Sequence, residues 1–204
     1  MADASERQLR DWATYYARTA ERAPRPTLLK ALDVLGPPAP DWLAVDLGCG
    51  GGRDTVEMLR RGWRVLAIDA EQSAIDSLRG RLDLPADARL DTLVGRFETT
   101  IWPDADLVNS SFALPLCPPA DFDPMWRRLL ESLKPGGCFA GQLFGDRDSF
   151  RDRPGITTMT REEARARFDR LDIVLFEEEE TDAVTPRGTP KHWHLFHVVA
   201  RRPR

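Results

Sequence analysis

The feature that most constrains this chain is a glycine-rich turn between a short apolar run and an amphipathic segment. Residues 45–52 read Val-Asp-Leu-Gly-Cys-Gly-Gly-Gly, and they continue an apolar run that begins at Trp42. Glycine at such a turn lets the backbone bend sharply and lets a ligand approach with no Cβ in the way. The run predicts a buried strand, the segment from Thr55 predicts a helix, and the turn between them predicts a ligand site.

An acidic residue ends the next predicted strand, since residues 64–69 read Arg-Val-Leu-Ala-Ile-Asp. A carboxylate at the position of Asp69 accepts hydrogen bonds from both hydroxyls of a ribose, which predicts a nucleoside ligand. The dinucleotide pattern Gly-x-Gly-x-x-Gly is not met, because counting from Gly48 the third glycine position holds Arg53. Asp46 is unfavourable beside a pyrophosphate and suits a ligand that carries an ammonium and a sulfonium.

The rest of the chain alternates strand and helix patterns. Further strands are predicted at 89–94, 105–109, 138–144, 171–178 and 193–200, and helices at 55–61, 70–80, 123–133 and after Thr160. This alternation predicts an α/β fold, in which a parallel sheet is covered by helices on both faces and ends in an antiparallel pair. Residues 1–40 are predicted to be a helical cap, with Trp12, Tyr15 and Tyr16 at helical spacing and a second helix from Thr27. Residues 41–204 are predicted to be the core of a single domain.

Two motifs carry a family resemblance. The pattern Asp46-x-Gly48-x-Gly50-x-Gly52 followed by Asp69 resembles motifs I and II of the class I S-adenosylmethionine-dependent methyltransferases, and residues 133–137 (LKPGG) resemble that family's turn before strand five. The resemblance covers residues 41–144, and the order of elements fits the family up to residue 201. It implies a Rossmann-like, doubly wound, seven-stranded sheet that is mostly parallel with an antiparallel last strand. Residues 114–117, 143–148 and 191–194 are similar, more narrowly, to small bacterial methyltransferases related to the tellurite-resistance group.

The resemblance also implies the cofactor, S-adenosyl-L-methionine, and the residues that hold it. The glycines would pass under the cofactor, Asp46 would lie near its methionine end, Asp69 would hold the ribose hydroxyls, and Phe97 would offer the adenine a flat apolar face. The full implied set is Asp46, Gly48, Cys49, Gly50, Gly52, Asp69, Ala70, Arg96, Phe97 and Asn109. The family often has an acidic residue where Arg96 stands in this sequence.

The catalyst is less distinct than the cofactor site, because methyl transfer can proceed largely by positioning. Four side chains are candidates: His194 and His192 as a general base, Arg147 as the holder of an anionic acceptor, and Tyr16 as part of an aromatic wall near the sulfonium. Each has a structural alternative, a packed or second-layer histidine, a solvated loop arginine and a core tyrosine. The His-x-His pair has no evident third ligand in the sequence, so no metal is predicted.

The composition and charge of the chain favour some classes of methyl acceptor over others. The 29 basic and 33 acidic residues give a net charge of −4, which does not favour nucleic acid or an anionic membrane surface. Asn109 is followed by two serines instead of the Pro-Pro-Tyr typical of DNA amino-methyltransferases. Three widely spaced cysteines favour a reducing compartment, and no stretch of about 18 apolar residues predicts a membrane span. The expected protein is cytoplasmic, a monomer or homodimer, with a small-molecule methyl acceptor.

Two other functions stay open at this level. A protein of the same fold can bind S-adenosylmethionine or S-adenosylhomocysteine without transferring a methyl group. An NAD-dependent oxidoreductase is the other alternative, and it is disfavoured by Arg53 and by the lack of a Tyr-x-x-x-Lys pair.

Overall fold

The computed structural model describes residues 22–185 and 188–204, and within these ranges the chain forms one eight-stranded sheet with helices packed on it. The strands are β1 (Leu43–Leu47), β2 (Arg64–Asp69), β3 (Arg89–Val94), β4 (Ala105–Ser110), β5 (Leu133–Gly145), β6 (Thr158–Met159), β7 (Asp172–Val184) and β8 (Pro190–Arg201). The helices are α1 (Pro26–Leu35), α2 (Arg53–Arg60), α3 (Gln72–Arg79), α4 (Pro119–Ser132) and α5 (Arg161–Ala166), with a 3₁₀ turn at Leu114–Leu116.

The strand order is β3-β2-β1-β4-β5-β8-β7. Strands β1 to β5 are parallel to one another, whereas β8 lies antiparallel between β5 and β7. This order confirms the predicted Rossmann-like α/β sheet with an antiparallel strand near its end. One strand was not predicted, the two-residue β6, which pairs with the end of β5 through Phe144 and Thr158.

The central strands are buried because both faces of the sheet are covered. Every residue of β4 is buried, as expected for a strand in the middle of a parallel sheet. On one face, α4 buries Phe122, Met125, Trp126 and Leu129, which recur at the i, i+3, i+4, i+7 spacing of an amphipathic helix. On the other face, α1 buries Leu28, Ala31 and Leu32 in a cluster with Met58 and Trp63.

Several boundaries differ from the prediction. Helix α4 begins at Pro119 instead of Asp123, because proline is well suited to the first turn of a helix. Strand β5 begins at Leu133, which pairs with Ala105, and the ladder resumes at Cys138 after a bulge, so the Lys-Pro-Gly-Gly turn lies inside the strand. Strands β7 and β8 continue to the pair Val184–Pro190, well beyond the predicted ends.

The structure describes the second of the two helices predicted for the N-terminal segment. Helix α1 begins at Pro26 and packs on β5 and β8, whereas the predicted first helix, with Trp12, Tyr15 and Tyr16, lies outside the described residues. Within the described ranges, none of the helices has both the length and the apolar character that a membrane crossing requires.

Candidate functional site

The glycine-rich turn joins the carboxyl end of β1 to the start of α2, and its backbone conformation depends on glycine. Gly48, Gly50 and Gly52 all have positive φ, of 72°, 53° and 82°. The turn is tied to the neighbouring strand, because the N–H groups of Gly48 and Cys49 both donate to the carbonyl of Ile68, at 2.8 and 3.1 Å. A Cβ on Gly48 would lie 2.2 Å from the Cβ of Ala113, so no other residue fits without displacing the loop after β4.

Gly52 serves the turn in a different way. It precedes α2 as its N-cap residue, and a Cβ at this position would lie 2.3 Å from Cδ1 of Leu78 on α3. Gly52 does not line the main cleft described below, whereas Gly51 does. Close packing between α2 and α3 accounts for this glycine, and its place under the cofactor stays a prediction.

Asp69 ends β2 and braces the glycine turn. Its Oδ2 accepts a hydrogen bond from the Gly50 N–H at 2.8 Å, and its Oδ1 accepts one from the Glu71 N–H at 3.0 Å. The carboxylate thus fixes the turn after β1 against the turn after β2. Asp69, Ala70 and Glu71 all line the main cleft.

A network of buried polar side chains lies beneath the turn. Asp46 accepts hydrogen bonds from Thr55 Oγ1 at 2.6 Å and from Asn109 Nδ2 at 2.9 Å. Asp54 accepts from Ser111 Oγ at 2.5 Å and from Asn109 Nδ2 at 3.4 Å, so the amide of Asn109 lies between two carboxylates. Burial, together with the negative charge of Asp54, raises the pKa of Asp46 to about 7.

The structure adds Asp54 to the candidate site and places Asn109 beneath it. Asn109 is fully buried, does not line the main cleft and donates to Asp46, so its direct contact with a cofactor stays a prediction. Asp54 lines the cleft and was missed by the sequence analysis. The signal available for it was an acidic residue in the first turn of the helix that follows the glycine run.

The loop after β3 forms the next part of the cleft wall, through Arg96, Phe97 and Glu98. Phe97 is almost fully buried, and Arg96 forms an ion pair with Glu98. Arg128 of α4 donates to the carbonyls of Phe97 and Glu98 at 2.7 and 2.9 Å. The loop is therefore held from behind, with the ring of Phe97 at the cleft surface.

These loops border a cleft of about 1100 Å³ at the carboxyl ends of the parallel strands, which we call the main cleft. Ligands of open α/β sheets bind at this edge. The opposite wall is formed by the loop after β5 and by strand β8, where the alternate residues Trp193, Leu195 and His197 face the cleft. One cleft thus joins the glycine turn to a second, mainly aromatic region.

Phe112 lies between the two regions and has a strained backbone. Its φ of 60° is the one positive value among the non-glycine residues of the described ranges. Its N–H donates to Gln142 Oε1 at 3.1 Å, and Gln142 in turn donates to Thr27 Oγ1 at 2.8 Å. Strain of this kind persists where surrounding contacts impose it, and it occurs often at ligand sites. The ring of Phe112 packs edge-on against Trp193 with centroids 5.8 Å apart.

The candidates predicted for catalysis lie elsewhere. His194 of β8 is fully buried. Its Nδ1 accepts from the Arg147 N–H at 3.1 Å, and its Nε2 lies 2.9 Å from Glu178. The Arg147 side chain is bound by Glu178 and Glu180, at 2.9 and 2.8 Å. His192 is held by Glu180 and Asp182. Tyr16 lies outside the described residues.

None of these three described side chains lines the main cleft, so the structure does not place them as catalysts. Successive residues of β8 face opposite sides of the sheet, and this alternation brings His197, not His194 or His192, to the cleft. His197 Nε2 lies 2.8 Å from Glu179, which also lines the cleft. Among the described residues, no group of three or more His, Cys, Asp or Glu side chains could hold a metal ion.

The fold and the glycine turn are similar to those of known methyltransferases. Residues 44–137 match the family model of a methyltransferase domain. Over these residues the chain is similar to methyltransferases, and solved structures that share its fold include S-adenosylmethionine-dependent ones, whose cofactor is S-adenosyl-L-methionine. The residues present fit such a cofactor, because Asp46 and Asp69 place acidic groups near the ends of β1 and β2, beside the glycine turn.

The curated proteins that resemble this chain have low sequence identity to it. A carboxy-S-adenosyl-L-methionine synthase of Shewanella baltica is 27% identical over 129 residues, which are 61% of this chain and 51% of that protein. An uncharacterized methyltransferase of Synechocystis is 31% identical over 109 residues, 50% of this chain and 47% of that protein. The chain therefore spans about half the length of these curated relatives.

Solved structures share the fold. TehB from Haemophilus influenzae superposes with a TM-score of 0.75 at 16% identity, over 87% of this chain and 62% of that one. The 1,6-didemethyltoxoflavin-N1-methyltransferase of Burkholderia thailandensis, solved with its substrate and S-adenosylhomocysteine, gives a TM-score of 0.63 at 20% identity, over 100% of this chain and 92% of that one.

Proposed function

We propose that this chain transfers the methyl group of S-adenosylmethionine to a small-molecule acceptor. The observation that carries the proposal is the continuity of the main cleft, which runs from the glycine turn and Asp69 to the rings of Phe112 and Trp193. A cofactor on the first region would present its methyl group toward the second. The acceptor would then occupy a space enclosed by the same chain.

The residues of the first region divide the cofactor between them in this proposal. Gly48 and Gly50 let the backbone pass close under the ligand, and Asp69 accepts from the ribose hydroxyls while it continues to hold the turn. Phe97 packs against the adenine. Asp46 and Asp54 place negative charge near the ammonium and sulfonium of the methionine end.

The cofactor supplies an activated methyl group, since the sulfonium sulfur leaves with the electron pair of its bond to that carbon. The protein aligns the acceptor atom with that bond, and such alignment is worth up to about 7–11 kcal/mol. A general base is needed only where the acceptor loses its proton during attack. His197, paired with Glu179, is the histidine of β8 that faces the cleft and so is the residue positioned for that task.

The test is turnover with S-adenosylmethionine labelled in its methyl group, over a panel of small thiols, amines, phenols, carboxylates and metalloid oxyanions. Label in an extracted small product supports the proposal. Binding of S-adenosylhomocysteine with no turnover on any acceptor would favour the non-catalytic binding protein. One relative is a carboxy-S-adenosyl-L-methionine synthase. Carboxy-S-adenosylmethionine is therefore tested beside S-adenosylmethionine as a second group donor, over the same panel of acceptors.

A further inference from the structure

The second region of the main cleft has a wall of aromatic rings with cations placed on them. Phe144 and Phe150 pack around Trp193, with ring centroids 6.1 and 6.5 Å from it, and all three line the cleft. Phe112 meets Trp193 from the other side. Flat apolar surfaces of this kind suit a flat, conjugated ligand, which gains from stacked or edge-on ring contacts.

A buried lysine supports this wall from behind. Lys191 is 3% exposed, and its Nζ lies 3.9 Å from the ring centre of Phe150, 4.1 Å from that of Trp193 and 4.8 Å from that of Phe144. Asp148 balances the charge through an ion pair whose two side chains are fully buried, and its Oδ1 also accepts from the Phe150 N–H at 2.8 Å. The ammonium of Lys191 therefore lies over all three rings, with its charge balanced by Asp148.

Two arginines complete the pattern at the cleft surface. The guanidinium of Arg153 lies 3.5 Å from the ring centre of Phe150, and that of Arg25 lies 4.2 Å from that of Phe112. Arg153 is exposed, lines the main cleft and has no carboxylate partner within residues 22–185 and 188–204. The loop that carries it is fixed, because Thr157 donates to the Pro115 carbonyl at 2.8 Å and to the Cys117 carbonyl at 2.6 Å.

This arrangement discriminates by charge. An aromatic wall alone attracts cations, but each of these four rings already has a lysine or arginine cation on it. A cationic acceptor would gain little from Phe112 and Phe150, because the guanidinium groups of Arg25 and Arg153 already lie on these rings. An anion would gain a charge-assisted hydrogen bond from a planar guanidinium, which matches a carboxylate in a two-point geometry.

We infer that the acceptor is a flat aromatic compound with an anionic group, held by its ring against the wall of Phe112, Phe150 and Trp193 and by its anion at Arg153. The inference rests on the proposed function and specifies the acceptor class for that site. It requires the anion at the cleft surface, where Arg153 is exposed, and the ring deeper in the cleft, toward the glycine turn.

The experiment is calorimetric titration of three matched probes into the protein saturated with S-adenosylhomocysteine. The probes are 2-naphthoate, 2-naphthamide and 2-naphthylmethylammonium, which share a ring system and differ in charge. We expect the carboxylate to bind about tenfold or more tightly than the amide, as a hydrogen bond to a charged group implies, and the ammonium to bind most weakly. Equal affinities, tighter binding of the ammonium, or no binding of any probe would overturn the inference.

The variant R153Q tests the residue, and R151Q is the matched control. Arg151 is an exposed arginine of the same loop that pairs with Asp152 and does not line the main cleft. R153Q should remove most of the preference for naphthoate over naphthamide, with unchanged affinity for S-adenosylhomocysteine and an unchanged melting temperature, whereas R151Q should keep the preference. A preference that survives in R153Q would overturn the assignment.

Different results would refute the proposed methyltransferase function and the proposed acceptor class. Loss of the charge preference in a protein that binds S-adenosylhomocysteine and transfers labelled methyl groups would refute only the acceptor class. If the protein has no affinity for S-adenosylhomocysteine, the probes are titrated without it, and naphthoate binding that depends on Arg153 would then refute the methyltransferase proposal and leave the anion site standing.

Discussion

At the scale of single residues, Asp69 joins structure and ligand binding. Its carboxylate holds the Gly50 N–H and faces the main cleft. We expect Asp69→Ala to weaken binding of S-adenosylhomocysteine tenfold or more, on the order of the 1.5–3 kcal/mol of a hydrogen bond to a charged group. Calorimetric titration measures the change.

The matched control for that variant is Asp76→Ala. Asp76 is an exposed aspartate of α3 that accepts a hydrogen bond from Gln72 and does not line the cleft. Its removal should leave the affinity unchanged. Unchanged affinity in a folded Asp69→Ala protein would show that the ribose assignment is wrong.

Asp46 gives the site a pH dependence. Burial and Asp54 raise its pKa from 3.8 to about 7 in the folded chain without ligand, so this carboxyl is largely protonated at pH 6. An ammonium beside it favours the carboxylate. Binding of S-adenosylhomocysteine should therefore release a proton, and affinity should rise by up to about tenfold per pH unit between about pH 5 and pH 7.

The proton is counted by titration at pH 6 in two buffers of different ionisation enthalpy. Asp46→Asn should abolish both the proton release and the slope of affinity with pH. A flat profile with no proton exchange in the unmutated protein would contradict the position given to Asp46. The sign for stability is opposite to that for affinity: because the folded pKa is the higher one, the stability associated with this carboxyl is full below about pH 3.8 and is lost as the pH rises through about 7.

At the scale of elements, the turn between β1 and α2 depends on more than glycine's backbone freedom. Gly48 and Gly62 both have positive φ, 72° and 84°, but a Cβ would collide with Ala113 only at Gly48 and would meet nothing within 4 Å at Gly62. Gly62→Ala should cost about 1–2 kcal/mol of stability from backbone strain alone and leave cofactor affinity unchanged. Gly48→Ala should lose at least tenfold in affinity for S-adenosylhomocysteine.

Replacement of the neighbour separates strain from collision. The double variant with Gly48→Ala and Ala113→Gly removes the contact and should recover part of the lost affinity, since only the strain remains. Equal losses in the single variants at positions 48 and 62, measured by denaturation and calorimetry, would contradict this account of the turn.

The elements that the sequence predicts well are those whose pattern reflects burial. Strands β1 and β2 are apolar runs bounded by the turn and by Asp69, and both were located to within about a residue. The hairpin of β7 and β8 was placed too short, because the exposed Glu177–Glu180 run has no alternation of apolar residues although its backbone is fully paired. Strand pairing at a sheet edge leaves little mark on side-chain composition.

The site was predictable where one motif carries it and unpredictable where distant segments meet. The glycines and Asp69 lie in two adjacent loops, so their proximity follows from the parallel sheet. Asn109 and Asp54 share a hydrogen bond across 55 residues, and Phe112 has a backbone conformation that no local pattern shows. The alternation along β8 was readable, but which face met the cleft was not, and this is why His197 was passed over in favour of His194.

At the scale of the whole molecule, one sheet edge brings a nucleoside-type site and an aromatic, cation-lined region into a single cleft. Loops after β1, β2 and β3 form the first region, and the loop after β5 with strand β8 forms the second. The first region should select S-adenosylmethionine and its product over other adenosine cofactors, because the acidic groups at the ends of β1 and β2 disfavour a pyrophosphate.

Titration with S-adenosylhomocysteine and with NADH tests that requirement most directly. Both ligands contain adenosine, and they differ in whether an ammonium-bearing chain or a pyrophosphate follows the ribose. We predict one site for S-adenosylhomocysteine and no measurable binding of NADH at the same concentrations. Tight binding of NADH with none of S-adenosylhomocysteine would contradict the account.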